Sequence, residues 1–175
     1  MQTILAVGAF LAKASTVRVV VAVGIQLTRP KDPLVLKNLN PVITGDLLRV
    51  LDAMQAGEQL AIVSNGYREH HANFPAVELT GMSVETAVDA IFSVLTLDSH
   101  HESPLVCWLG DTPDYAAIDI AFAVNGLASD AEQRRVGMTT LSEAEFDAEM
   151  NHAVATIRFP QIDTPWAFLL RAGGL

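Results

Sequence analysis

Five histidines, one cysteine and a scatter of acids are the candidates for chemistry in this chain. Four of the histidines come as adjacent pairs, His70-His71 and His100-His101. Neighbours on a strand point to opposite faces and on a helix diverge by about 100°, so neither pair is a chelate by itself. His70 with Glu69 binds a metal only if further ligands converge there, and solvated loop histidines are the simpler reading, so no metal is expected. Cys107 lies between Val106 and Trp108 and reads as a small buried hydrophobe rather than a nucleophile. Ser64 lacks the Gly-x-Ser-x-Gly elbow of a serine hydrolase. Neither Gly-x-Gly-x-x-Gly nor a Gly-Lys-Ser phosphate loop occurs, so no nucleotide and no cofactor is expected. Glu143, Glu145, Asp147 and Glu149 read as the solvated face of a helix. Trp166, after Pro165, is either a packing aromatic at a strand start or a platform on which a sugar ring stacks.

The elements that must position these residues begin near Leu36. Thr44 to Ala56 predicts a helix with Leu47, Leu48, Leu51 and Met54 on one stripe, Thr44 as N-cap, Asp46 at the positive end and Gly57 in the C-terminal turn. Leu60 to Ser64 predicts a buried strand that turns at Asn65-Gly66. A polar loop over 65–76 leads to a short strand at Val77 to Thr80. Ser83 caps a second helix that buries Val84, Ala87, Val88, Ile91, Val94 and Leu95. Leu105 to Leu109 is a further strand, and Asp114 to Val124 a helix that Asn125-Gly126 would end. Ser142 with Glu145 is a capping box, opening a helix with Phe146, Met150 and Ala153 on one face. Val154 to Phe159 and Ala167 to Arg171 close the series as strands. Helices alternating with short apolar runs predict an α/β fold, three-layer α/β/α with a mixed sheet covered on both faces.

The chain has 175 residues, 50% of them hydrophobic and 18% charged, with a net charge of −9. That suits one domain, excludes a disordered chain and argues against a nucleic-acid partner, which needs a cationic face. No uncharged stretch approaches the roughly 20 residues that span a bilayer, so no membrane partner is expected. A single cysteine fits a reducing compartment, and the expected location is cytoplasmic. The charge breaks sharply: residues 1–40 are net +4 and residues 41–175 net −13, with no lysine after Lys37. Residues 1–34 are therefore expected to be an N-terminal extension or linker, with the regular domain over 35–175. A loosely held extension, an upstream start codon and a targeting segment all fit its basic, acid-poor composition. Val17 to Leu27 could add an edge strand before Arg29-Pro30 and Asp32-Pro33 break the chain.

The order of the pieces resembles one family. LKNLNPVITGDLLRVLDAMQAGEQLAIVSNG is similar to the N-terminus of the fucose mutarotase and ribose pyranase family, which opens with Leu-Lys, Pro, a Leu-rich helix, a Gly-His-Gly-Asp turn and a strand ending in Asp-Ala. GMSVETAVDAIFSVLTLDS and PLVCWL look like the family's next helix and strand. FDAEMNHAVATIRFPQ and AFLLRAGG resemble its Phe-Tyr helix and closing strands. The resemblance runs from Leu36 to Gly173 and implies a monosaccharide such as fucose or ribose as partner, interconversion of sugar anomers as activity, and a homo-oligomer, often a ring-like decamer in relatives.

The motif residues depart from that pattern. The Gly-His-Gly-Asp turn falls on Gln55-Ala56-Gly57-Glu58, the strand-end aspartate on Asn65, and the Asn or His two residues later on Tyr67. An arginine of the fucose branch falls near Glu143, and a C-terminal Tyr-Gly-Asn falls on Pro165, Trp166 and Ala167. Opening a hemiacetal takes a base at the anomeric hydroxyl and an acid at the ring oxygen. Alanine cannot move a proton and an asparagine amide is no base. His71 is then the first candidate for catalysis, with Glu58 and His70 behind it, while Asn65, Tyr67, His70, Trp166 and Glu58 are candidates to bind the sugar. A non-catalytic sugar binder and an assembly-only relative are the alternative readings.

Overall fold

The computed structural model describes residues 40–67 and 75–174. Its elements run α1 (Gly45–Ala53), β1 (Gln59–Ser64), β2 (Ala76–Glu78), α2 (Val84–Phe92), β3 (Leu105–Trp108), α3 (Tyr115–Ala131), β4 (Met138–Thr140), α4 (Glu143–Met150), β5 (Ala153–Phe159) and β6 (Ala167–Arg171). The strands make one six-stranded sheet in the order β2-β5-β1-β6-β3-β4. β1 and β2 pair parallel to β5, and β3 parallel to β4. β6 inserts antiparallel between β1 and β3 and joins the two halves. The α/β fold with a mixed sheet is therefore as the sequence predicts.

Side-chain alternation along the central strands makes two cores. Leu60 and Ile62 of β1, Phe168 and Leu170 of β6, Leu105 and Cys107 of β3 face the larger one, with residues of α1, α2 and α3. Ala61, Val63, Trp108, Ala167 and Leu169 face the other, with Phe146 and Met150 of α4. Leu60, Ile62, Phe168 and Leu170 are fully buried, and each such side chain contributes about 1.5–3 kcal/mol.

The helix starts follow their caps. Thr44 Oγ1 accepts from the Leu47 amide at 3.2 Å, Ser83 Oγ from Thr86 at 3.2 Å, and Asp114 Oδ1 from Ala117 at 2.8 Å. Glu145 accepts from the Ser142 amide at 3.1 Å and its hydroxyl at 2.7 Å. Those bonds hold the Glu145 carboxyl below its ordinary pKa. Gly57 supplies the turn into β1 at φ +90°, a backbone that favours glycine.

Four local expectations change. α3 does not stop at Asn125-Gly126 but runs to Ala131. Val124 and Ala128 are buried where α3 packs on α2, and that burial overrides an interior glycine's cost of about 1 kcal/mol. Ala153 opens β5 instead of extending the face of α4. Val94 is 44% exposed, whereas Leu95 beside it is buried. β4 has no local signal in the sequence: three residues of middling polarity become a strand only because the edge of β3 pairs with them.

Candidate functional site

β1 ends in a tightly fixed junction. Ser64 Oγ donates to the Trp166 carbonyl at 3.0 Å and accepts from the Trp166 amide at 3.1 Å, both bonds buried. The next residue, Asn65, donates its amide to the Phe159 and Ile162 carbonyls at 3.2 and 2.8 Å. Gly66 then passes under the segment before β6. A Cβ there would overlap the Asp163 carbonyl oxygen and stand 2.8 Å from the Pro165 Cα, so only glycine fits.

The side chains at this junction form a polar and aromatic rim at the carboxyl ends of β1 and β3. In α/β sheets this is the end where ligands bind. Asn65 Nδ2 donates to Asp163 Oδ1 at 2.8 Å. Tyr67, buried, lies edge-on to Trp108 and Phe146 with ring centroids 5.4 and 5.6 Å away. Its hydroxyl donates to Asp147 Oδ1 at 2.6 Å. Trp108 Nε1 is a buried donor without a hydrogen-bond partner among the described residues. A carboxylate offers about four acceptor positions, so the exposed Asp163 keeps capacity for a ligand hydroxyl while holding Asn65.

Two expectations about these residues change. The acids of α4 are not a uniformly solvated face: Glu143 and Glu145 are exposed, but Asp147 holds Tyr67 and Glu149 accepts from Gln59 Nε2 at 3.3 Å. Trp166 is fully buried, with Phe159 and Phe168 at 5.8 and 5.5 Å. Its ring is part of the core, and its backbone is what reaches the rim. His70 and His71 lie outside the described residues, in the stretch that follows Tyr67.

Glu58 does not join this cluster. It sits at the opposite end of β1, where Oε2 accepts from the Gln55 amide at 2.8 Å and so closes the turn into the strand. A six-residue strand separates that end from Asn65 by about 20 Å. Ala56 stands there too, lining a cleft of about 460 Å³ with Gly57, Asp98, Ser99, His100, Ala172 and Gly173. His100 is exposed, and its backbone amide donates to Asp98 Oδ1 at 2.9 Å. The sequence shows His100 only as half of an adjacent pair. Its place beside Ala56 depends on the antiparallel bridge between Leu97 and Ala172, a non-local contact.

Cys107 is a core residue, as its apolar neighbours predict. Burial pushes its thiol pKa up, and the Thr140 hydroxyl at 3.3 Å only partly opposes this. Among the described residues no group of three or more His, Cys, Asp or Glu side chains is placed to hold a metal ion. No helix among them is long and apolar enough to cross a membrane.

Comparison with known proteins agrees with this fold. An L-fucose mutarotase from Histophilus somni is 28% identical over 71 residues, 41% of this chain and 49% of that protein. One from Actinobacillus pleuropneumoniae is 29% identical over 82 residues, 45% of this chain and 57% of that protein. FucU from Bifidobacterium longum shares the fold with a TM-score of 0.67 at 22% identity, covering 77% of this chain and 96% of that one. The chain is a distant relative of the fucose mutarotase and ribose pyranase family. A fucose mutarotase from Streptococcus pneumoniae, solved in complex with L-fucose, matches at a TM-score of 0.64 and 19% identity over 80% of this chain and 99% of that one. Bacillus subtilis RbsD, complexed with D-ribose, matches at 0.56 and 15% over 76% and 95%. At these identities the solved structures speak for the fold. The aligned sequence spans about half the length of the curated mutarotases. No family model matches the chain.

Proposed function

We propose that this protein binds a monosaccharide of the fucose or ribose class and speeds the interconversion of its anomers. The observation that carries the reading is the sequence match to L-fucose mutarotases on a sheet of the same topology class. The rim at the end of β1 supports it: Asn65, Tyr67 and their carboxylate partners set hydrogen-bonding groups beside aromatic surface, which suits a ligand with several hydroxyls on a compact ring.

Anomer exchange needs a base at the anomeric hydroxyl and an acid at the ring oxygen, with the roles exchanged after rotation about the carbonyl carbon. His71, following Tyr67 in sequence, is the first candidate for this work. His70 and Glu58 are weaker ones, and Glu58 has its carboxylate engaged in a turn. His100 is a second imidazole, in the cleft beside Ala56. Ala56 and Asn65 both fall on family motif positions yet stand at opposite ends of β1, about 20 Å apart along the strand. They serve one sugar only when they come from different copies, which supports a homo-oligomer such as the ring-like decamers of relatives. The cytoplasm, and a domain over 35–175 preceded by an extension, complete this reading.

The alternative is a sugar binder without catalysis. The loss of an imidazole at Ala56 and of a carboxylate at Asn65 favours it. Magnetisation-exchange NMR on L-fucose and D-ribose, with and without protein, separates the two. Faster exchange that falls in His71→Asn or His100→Asn supports catalysis and names the group. Saturation transfer to the sugar without faster exchange selects the binder. No transfer to any sugar of the panel refutes both.

A further inference from the structure

α4 covers only part of its side of the sheet. Its eight residues reach about 12 Å, whereas the six strands span about 24 Å. Val106 and Leu141, which pack against the core under α4, stay half-exposed as a result. Beside them lies a cavity of about 210 Å³. The strand register sets its floor. Gln59 at the start of β1 lies opposite Arg171 of β6, and Leu169 lies opposite Val106 of β3. Leu169 and Arg171 are two residues apart on one strand, so all four side chains share one face of the sheet. Glu149 of α4 and His101, from the loop before β3, also line the cavity.

Gln59 points to a ligand. It is only 3% exposed. Its Nε2 donates to Glu149 Oε2 at 3.3 Å, and its Oε1 is buried without a hydrogen-bond partner among the described residues. Flipping the amide is no remedy, because that would set the carbonyl oxygen against the carboxylate. A buried acceptor left unpaired carries the full cost of its desolvation, so the cavity calls for a donor. Glu149 has used one of about four acceptor positions, and its charge makes a cationic donor the stronger partner. The cavity also carries donors of its own. Arg171 Nη1 donates to the Gly57 carbonyl at 3.1 Å, which leaves about four guanidinium N–H groups. His101 Nδ1 accepts from the Ser103 amide at 3.2 Å. That amide can only donate, so the proton of the neutral ring sits on Nε2. Amide oxygen and carboxylate thus suit an ammonium, the guanidinium suits a carboxylate, and Val106, Leu141 and Leu169 suit an aliphatic group. We propose that this cavity binds a small aliphatic α-amino acid. Its volume equals about seven liquid waters, which admits a ligand of about eight non-hydrogen atoms, the size of valine. Drug-sized sites begin near 300 Å³, so a nucleotide is too large.

This site is separate from the proposed sugar rim, since Gln59 and Asn65 stand at opposite ends of β1, about 20 Å apart. Titration of the full chain with L-valine, followed by amide NMR shifts and calorimetry, tests it. Saturable binding by about 1 mM is expected. Isovalerate lacks the ammonium and valinol lacks the carboxylate, and each should bind at least about tenfold more weakly. Glu149→Gln keeps an acceptor for Gln59 but removes the charge, and should weaken valine about tenfold. Gln59→Leu removes the unpaired oxygen and should do the same with the far-ultraviolet circular dichroism unchanged. Arg171→Met should weaken valine but not valinol. Tyr67→Phe, at the rim, should leave the valine affinity as it was. Absence of saturation by valine overturns the proposal, as does equal binding of isovalerate or valinol. L-Fucose shifting the same resonances in place of valine overturns the ligand class. If Gln59→Leu does not fold, Glu149→Gln decides, because its side chain is half-exposed on a helix; an unchanged valine affinity there refutes the site.

Discussion

Tyr67→Phe tests whether the rim at the end of β1 is held by a specific polar contact or by ring packing alone. The substitution leaves the ring, with its edge-on partners Trp108 and Phe146, and removes only the hydroxyl that meets Asp147 Oδ1 at 2.6 Å. A hydrogen bond to a charged acceptor contributes about 1.5–3 kcal/mol. Asp147 is half-buried, so water regains part of its carboxylate in the variant, and the expected loss is about 1–2 kcal/mol. For a domain of about 130 residues the unfolding entropy is near 0.27 kcal/mol/K, which converts that loss to a fall of about 4–7 °C in Tm. Tyr67→Ala also removes the buried ring and should lose about 3–5 kcal/mol. The assay is thermal and urea unfolding of wild type, Tyr67→Phe, Asp147→Ala and the double variant. The double-mutant cycle should return a coupling of about 1 kcal/mol or more between the two positions. A Tyr67→Phe protein that melts with wild type, or a coupling near zero, refutes the reasoning and leaves the tyrosine as packing only.

Two further outcomes follow from the same geometry. Gly66→Ala forces a methyl group into the Asp163 carbonyl and the Pro165 backbone, so it should lower stability by about 1–3 kcal/mol in urea unfolding; an unchanged midpoint refutes the close crossing. Because burial raises the Cys107 thiol pKa in the folded state, its contribution to stability is full below the unfolded thiol's pKa and is lost as pH rises through the folded one. The denaturation midpoint of wild type should therefore fall more steeply through the alkaline range than that of Cys107→Ala, and parallel curves would contradict this.

Local signals were enough for much of the fold. Thr44, Ser83 and Ser142 each stand one residue before the helix they cap, because a side-chain oxygen that meets a free amide acts over three residues and needs nothing distant. β1, β3 and β6 are legible as apolar runs because both faces of the sheet are covered. The end of α3 was not legible. Asn125-Gly126 is a strong local stop, and the burial of Val124 and Ala128 that overrides it is a property of the packed domain. β4 illustrates the same limit from the other side, since its three residues carry no pattern of their own.

The candidate site divides along the same line. Asn65, Tyr67 and Glu58 can be named from the resemblance, but what each of them does depends on residues far away in sequence. Asp163 and Asp147, which hold Asn65 and Tyr67, lie 98 and 80 residues further along the chain. Asp147 in particular looks like one of a row of solvated acids until α4 is laid on β3. Trp166 could be read as a platform or as core, and only the insertion of β6 between β1 and β3 decides for the core.

The way β1 is anchored separates the shape of the proposed sugar rim from the groups that would move protons. Ser64 clamps both backbone polar groups of Trp166, and Gly66 threads beneath Asp163 and Pro165. These contacts set the shape of the rim through backbone atoms and need no titrating side chain. The backbone course of the rim therefore does not depend on Ala56, His71 or His100, none of which takes part in these bonds. Proton transfer, in contrast, requires an imidazole or carboxylate at one atom of the ligand, and neither Ala56 nor Asn65 provides one. In the proposed reading, holding the sugar and moving its protons therefore rest on different groups, with His71 or His100 as the candidates for the second. That is why exchange and binding must be measured on the same sugar in the same sample.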